Sequence, residues 1–429
     1  MDENKTISKV VKSGLCVGCG TCAGICPNSA IHMLIDSKKG TYVPKIDHEK
    51  CNECGFCFDV CPGHSVDFKK LNSEIFGKEP EDILIGNYIN CYTGYATDYE
   101  IRYNSASGGL VTQLLIFALE EGIIDGALVT KMSEKNPLEP EVFIARTKEE
   151  IVSASKSKYC PVPANIALKE ILDSKEGEKF AVVGLPCHIH GIRRAEQINK
   201  KLKEKIVLHF GLFCACIGSF LGTEFLLYKL DIKKEDIRKL DYRGEGWPGN
   251  FSIELKNGSK ESYQFPAAPW SNEVEVVGNT VLAFIPLRCT LCIDSSCELS
   301  DLSFGDAWLP EFKEDKIGRS VVVSRSKIGD MFLQHAVSEK IIELNEVDSN
   351  RVRQMIPNRI KDFKARASFL RMIGNGVPVY NLELPEPELN AYLRAPLSYL
   401  RINILPKRRL WGLFRMLSQF NTFRKLLRI

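Results

Sequence analysis

Three observations on the 429-residue sequence predict an α+β module, then an α/β domain built on a mainly parallel sheet, then a C-terminal amphipathic helix. Two cysteine runs of identical spacing, CVGCGTCAGICP at 16–27 and CNECGFCFDVCP at 51–62, bracket a hairpin pattern. Strand, turn and helix patterns then alternate, as parallel βαβ units require. The last stretch carries apolar residues at three-and-four spacing fringed by arginines.

Each cysteine run reads C-x2-C-x2-C-x3-C-P, placing Cys16, Cys19, Cys22 and Cys26 in one and Cys51, Cys54, Cys57 and Cys61 in the other. Two intervening residues let a short loop curl around a cube of iron and sulfur, and the closing proline redirects the chain. This spacing holds [4Fe-4S] clusters, the fourth cysteine of each run serving the cluster of the other. Cys16, Cys19, Cys22 and Cys61 are thus expected around one cluster, and Cys51, Cys54, Cys57 and Cys26 around a second. Zinc fits poorly, because zinc sites take four ligands in two pairs. Between the runs, two apolar segments flank Ser37-Lys38-Lys39-Gly40 as a hairpin. The module, ferredoxin-like in this pattern, spans 8–70, and 71–87 reads as a linker.

A second domain is expected over 88–345. Ser105, Ser107, Gly108 and Gly109 precede a helical pattern beginning at Leu110. A small-residue loop there offers free amides to a phosphate, and a capped, buried helix reads the same way. KFAVVGLPCHIHGIRRAEQI puts Cys187 between strand and helix, and KIVLHFGLFCACIGSFLGTEF does so with Cys214 and Cys216. Both cysteines belong at the carboxyl edge of a sheet, where ligands bind. Asn257-Gly258 marks a second hairpin turn. Cys289 and Cys292 form a C-x2-C pair with no second pair nearby, so Cys187 and Cys214 are the candidates to complete a third [4Fe-4S] site. Cys91, Cys160, Cys216 and Cys297 read as small buried hydrophobes. His188 and His190 are the candidates for moving a proton, since imidazole titrates near neutral pH; a surface or capping role suits them equally. His32, His48 and His64 read as solvated.

Composition bounds the rest. With 44% hydrophobic residues the chain buries a large core. No apolar run approaches the ~20 residues needed to span a bilayer. The opening MDENKTISKVVKSG is too polar for export, so a cytoplasmic location is expected, where sixteen cysteines stay reduced unless metal-bound. The net charge of +3 hides an asymmetry: nine Lys and Arg and no acid follow Glu388, leaving residues 1–388 at a net −6. An acidic body with a basic tail excludes nucleic acid as the main partner. Residues 346–404 read as a linking, peripheral segment. Residues 405–429, with Leu410, Leu413, Met416, Leu417, Phe420, Phe423 and Leu427 on one face, read as a basic amphipathic helix. Such a helix suits the inner face of a membrane, a partner subunit, or packing on its own domain.

SASGGLVTQLL, GLPCHIHGIR, GLFC, YRGEGWPGNF, RCTLCID and DLSFGDAW, in this order, resemble the coenzyme F420 hydrogenase/dehydrogenase beta-subunit family. The resemblance covers residues 8 to about 345, and one departure is Ser300 before Asp301, where alanine is expected. It implies an iron-sulfur flavoprotein oxidoreductase that binds FAD. Carried onto this chain, Ser105 to Gly109 and Ser157-Lys158-Tyr159 line the flavin. Cys187, Cys214, Cys289 and Cys292 hold a flavin-proximal cluster, and Asp306 shapes the pocket. A hydride carrier, with coenzyme F420 implied, delivers two electrons together, a flavin divides them, and clusters take one each. Electrons then pass to ferredoxin or a larger electron-transfer complex, or in reverse. Two other readings keep the same parts: a ferredoxin-dependent reductase of an organic substrate, and a non-catalytic relay subunit.

Overall fold

A computed structural model describes residues 5–264 and 284–417. The hairpin expected between the two cysteine runs forms. Ile31–Asp36 pairs antiparallel with Thr41–Ile46, closing on Asp36 opposite Thr41. Gly40 turns this hairpin at φ +63°, and a Cβ there would stand 2.7 Å from Leu221 Cγ, so the tip lies flat against the helix Phe220–Lys229. The expected linker over 71–87 begins instead as a helix, Phe68–Phe76, capped by Asp67, whose carboxylate accepts from the Lys70 amide at 3.0 Å. Its residues Phe68 and Leu71 are buried, which is why the chain stays ordered here.

The central sheet has eight strands in the order Ile342–Glu346, Asn90–Ala96, Ser320–Ser324, Leu302–Asp306, Ile206–Leu212, Phe180–Gly184, Gly126–Met132, Pro140–Ala145. The expectation of a mainly parallel sheet is corrected. Only the three pairings among Leu302–Asp306, Ile206–Leu212, Phe180–Gly184 and Gly126–Met132 are parallel, and the flanking four are antiparallel. Short connections explain it: Leu302–Asp306 reaches Ser320–Ser324 without a crossover helix, and a direct return forces antiparallel pairing. A separate three-stranded sheet, Ile237–Asp241, Asn250–Leu255 and Lys260–Gln264, contains the expected hairpin, with Gly258 at φ +90°.

Strand residues alternate between two apolar layers. Leu128 and Val182 face the helices Leu168–Asp173 and Pro186–Ile198, while Ala127, Val129 and Ala181 face Leu110–Glu120 and Lys327–Ser338. The first layer also contains Val60, Val66 and Phe68 of the front module and Phe363 and Leu370 from near the other end. Residues 346–404 are therefore no linker: they hold the helices Ser349–Met355, Phe363–Met372 and Leu389–Ile404, and Val379–Tyr380 pairs with Ser65–Val66. Beyond them the chain turns through Arg408–Leu410 into a helix, Trp411–Leu417, so 405–417 is not one continuous helix. Trp411 and Phe414 are buried with Phe225 and Phe284, while Leu413 and Met416 are exposed. The remainder of the expected amphipathic helix, 418–429, lies outside the described residues. Among the described residues no helix is long and apolar enough to cross a membrane.

Candidate functional site

The two cysteine runs fold alike because their glycines sit alike. Gly20, at φ +86°, starts the short helix Thr21–Gly24, and Gly55, at φ +79°, starts Phe56–Asp59, so Cys22 and Cys57 occupy equivalent second positions. Left-handed backbone at these points suits glycine. Backbone amides turn toward sulfur: Gly18 donates to Cys16 Sγ at 3.4 Å and Ala30 to Cys26 Sγ at 3.3 Å. Burial first, then Cys19, Cys61, Cys16 and Cys57, raises the Cys22 thiol; burial raises the Cys57 thiol against a backbone hydrogen bond from Ile7, and Cys54, Cys51 and Cys26 add to the rise. The neighbours of Cys22 thus include Cys61 of the other run, and those of Cys57 include Cys26. A small cavity is walled by Cys16, Cys19, Cys22 and Cys61.

The donor chemistry fits iron-sulfur clusters. Burial pushes the Cys16 and Cys61 thiols up to about 12, so thiolates form there only beside bound cationic metal. Among the described residues no three His, Cys, Asp or Glu side chains converge on one metal ion. Four thiolates on a cube each hold a different iron and stand wider apart than four on one zinc.

The core cysteines come from three separate elements. Cys187 is the second residue of the helix Pro186–Ile198, Cys214 follows the strand Ile206–Leu212, and Cys289 lies in the turn Leu287–Leu291 with Cys292 next after it. They act on one another: after burial, Cys214 feels Cys289, Cys187, Cys216 and Cys292. Cys187 feels Cys19 more than Cys289 or Cys292, so the core group abuts the first ferredoxin group. Cys91, Cys160 and Cys297 are buried as small apolar residues. Cys216 departs from that expectation. It is half-buried beside the Arg359 guanidinium and on the wall of the central cavity.

That cavity, of about 560 Å³, opens at the carboxyl ends of the parallel strands. Its size lies within the ordinary range for small-molecule sites, roughly 300–1,000 Å³. Ser105, Ser107, Gly109, Ser157, Lys158, Tyr159 and Asp306 line it, and so does Cys214. Gly108 lies behind the wall, its amide donating to Ser320 Oγ at 2.9 Å; a Cβ would stand 2.6 Å from Gly94 O. Ser105 Oγ donates to Ile101 O and Ser107 Oγ to Arg319 O, so both serines brace the loop. Lys158 Nζ donates to the carbonyls of Ala154, Ser155 and Lys156 at 2.5–3.0 Å, folding its loop around the ammonium, whose pKa burial pulls down to about 7 against the Asp241 charge. Asp306 takes two bonds from Arg243, at 2.9 and 3.0 Å, and one from Trp247 Nε1 at 2.8 Å. Burial opposes the Arg243 charge and Asp306 sustains it. Trp247 packs against Trp308 with ring centroids 4.5 Å apart and planes tilted by 34°. The sequence marks Arg243 only by its place in YRGEGWPGNF beside the glycines.

The two candidate proton carriers both sit in hydrogen-bonded positions. His188 lines the cavity wall but has both nitrogens engaged, Nδ1 accepting from the Leu185 amide at 3.1 Å and Nε2 facing Val162 O at 2.9 Å. Burial holds it neutral, pulling its pKa down to about 4. His190 is buried on Asp294 at 2.8 Å with Phe68 edge-on, outside the cavity lining. A helix start at Pro186 turns both rings inward, where they tie elements together. His64 is not simply solvated either: it stacks on Phe58 at 4.1 Å.

Comparison with known proteins adds three kinds of match. Residues 91–169 and 177–350 match the N-terminal and C-terminal models of the coenzyme F420 hydrogenase/dehydrogenase beta subunit, and residues 15–65 match the 4Fe-4S dicluster domain. The chain is 29% identical to coenzyme F420 hydrogenase subunit beta of Methanothermobacter thermautotrophicus, over 62% of this chain and 87% of that one. It is 30% identical to an uncharacterized protein of Methanocaldococcus jannaschii, over 81% and 94%. A chain of the F420-reducing [NiFe] hydrogenase complex from Methanosarcina barkeri superposes with a TM-score of 0.53 at 25% identity, covering 70% of this chain and 98% of that one.

Proposed function

The chain belongs to the coenzyme F420 hydrogenase/dehydrogenase beta-subunit family, carries a 4Fe-4S dicluster domain and is an oxidoreductase; from that premise we propose that it moves electrons between reduced F420, meeting FAD in the central cavity, and the clusters. The observation that carries this reading is adjacency. Cys214 belongs at once to the cavity wall and to the core cysteine group, and Cys187 of that group abuts Cys19. A bound flavin supplies the exchange between two-electron and one-electron chemistry.

The chain's own residues do the positioning. The braced loop Ser105 to Gly109 and the Lys158-wrapped loop form two walls for the cofactor. Asp306, held by Arg243 and Trp247, sets one polar edge of an otherwise largely apolar cavity. Cys187, Cys214, Cys289 and Cys292 would hold the cluster nearest that cavity. Cys54, the exposed cysteine of the eight in the front module, marks the side from which ferredoxin or a complex partner would take electrons from the second ferredoxin seat.

Anaerobic purification with iron, sulfide and flavin counted per chain tests this. About twelve irons and one FAD are expected, with reduced F420 turning the clusters to their reduced spectrum. Cys214→Ser should leave about eight irons and break that transfer. Flavin-free protein with full iron that ignores reduced F420 would overturn the proposal.

A further inference from the structure

We propose that Arg288 is the positioning residue that fixes the core cluster seat against the first ferredoxin seat, and so sets the step by which single electrons cross between the two domains. The inference rests on the reading above, since it presumes both seats filled. Arg288 is 4% exposed and immediately precedes Cys289. Its Nε donates to Gly63 O at 2.8 Å and its Nη2 to Pro62 O at 3.3 Å, the two carbonyls directly after Cys61. Nη2 also donates to Tyr380 Oη at 2.7 Å, and Tyr380 Oη donates onward to Leu291 O at 2.9 Å, inside the Cys289 to Cys292 turn. One planar guanidinium thus joins the backbone that ends one cysteine set to the backbone that carries half of the other.

Charge adds a second reason. Arg288 acts on Cys292, Cys289 and Cys187, and Cys187 in turn stands closest in influence to Cys19. The guanidinium thus carries its charge among the core thiols while its hydrogen bonds hold the backbone that follows Cys61. Burying a cation is costly, and a well-packed apolar side chain would serve packing alone at least as well. A lysine has the charge but not the rigid fork that reaches two carbonyls and a hydroxyl together. With both seats filled, the step that Arg288 would govern is one electron leaving the reduced core seat and arriving on the oxidised ferredoxin seat. Its charge favours an electron on the core seat.

The test uses the full chain loaded anaerobically, with iron counted, potentials titrated, and the magnetic splitting between neighbouring reduced clusters read by electron paramagnetic resonance. Arg288→Gln should keep its iron, shift the core cluster's reduction equilibrium about tenfold toward oxidised, ~59 mV lower for one electron, and weaken the splitting. Arg288→Lys should hold the potential yet weaken the splitting, separating the fork from the charge. Tyr380→Phe, which leaves the cation and removes one hydroxyl, covers the case in which Arg288→Gln fails to fold and should also weaken the splitting. Full iron with unchanged splitting and potential, whatever the loss of thermal stability, means that Arg288 only packs, and the proposal falls while the functional reading stands. A parent protein with about eight irons, or with three clusters that show no splitting, overturns the proposal as well; the first of these also removes the core cluster from the functional reading.

Discussion

At the residue level, the buried charges beneath the sheet behave differently from the thiols at its edge. His209 donates from Nδ1 to Asp301 at 2.9 Å and from Nε2 to Glu196 at 2.6 Å, with Arg193 bridging the same two carboxylates. Burial and Arg193 lower the His209 pKa, but Glu196 and Asp301 outweigh them and the net shift is upward. Burial opposes the carboxylates, yet Arg193 and His209 bring both below their usual range. The raised histidine gives stability that is complete below its unfolded pKa of about 6.5 and fades as pH rises through its folded value. The lowered carboxylates give stability present above about pH 4 and lost on acidification. The apparent melting temperature should therefore fall as pH climbs from about 6.5 to 9, and His209→Gln should flatten that slope; parallel slopes for both proteins would remove the network as its source. None of this was legible in the sequence. His209 sits in KIVLHFGL as one polar residue in an apolar strand, and its partners lie on a helix 13 residues earlier and a strand start 92 residues later.

Among the elements, what the sequence revealed was whatever is decided locally. Cluster spacing, hairpin turns and the strand-to-helix switch at Cys187 depend on neighbours a few residues away, and all were readable. Sheet direction was not, because FAVV in a parallel strand and SVVVS in an antiparallel one are equally apolar when both faces are covered. The docking of the front module was also hidden, since it relies on a gap rather than a side chain. Gly191 on the helix Pro186–Ile198 lies where a Cβ would fall 2.1 Å from Thr21 Oγ1 and 3.2 Å from Asn165 Nδ2. Asn165 Nδ2 donates to that same Thr21 oxygen at 2.8 Å and to His188 O at 2.9 Å, and Thr21 Oγ1 lies 3.2 Å from Cys19 Sγ. Gly191→Ala should thus displace Thr21, cost about 1–3 kcal/mol, and loosen the cluster of Cys19 before the other. Differential iron release under a chelator reads this. Adding Thr21→Ala to Gly191→Ala should recover part of the loss, and no recovery would show that the crowding lies elsewhere.

For the whole molecule, the question is whether the module, the sheet domain and the segment after it can exist apart. A single apolar layer answers it, because Val60, Val66 and Phe68 of the module, Phe180 and Ile189 of the sheet domain, and Ile360, Phe363 and Leu370 of the last segment are buried together. The last segment also reaches the core cysteines directly: Arg359 donates to Cys289 O at 3.2 Å and Arg366 to Thr290 O at 2.6 Å. Its strand Val379–Tyr380 completes the edge at Ser65–Val66. Ending the chain at Glu346 would strip three large side chains from that layer, roughly 5–9 kcal/mol at 1.5–3 kcal/mol each. Total domain stabilities run to about 5–15 kcal/mol, so the shortened chain should not fold, and should fail to hold the ferredoxin-type clusters even though all eight of their cysteines remain. The full-length protein should by the same argument lose cluster absorbance and helical circular dichroism in one transition. A shortened chain that still binds about eight irons, or a full-length protein that bleaches well before it unfolds, would show that the module stands alone and that the shared layer contributes little to its folding.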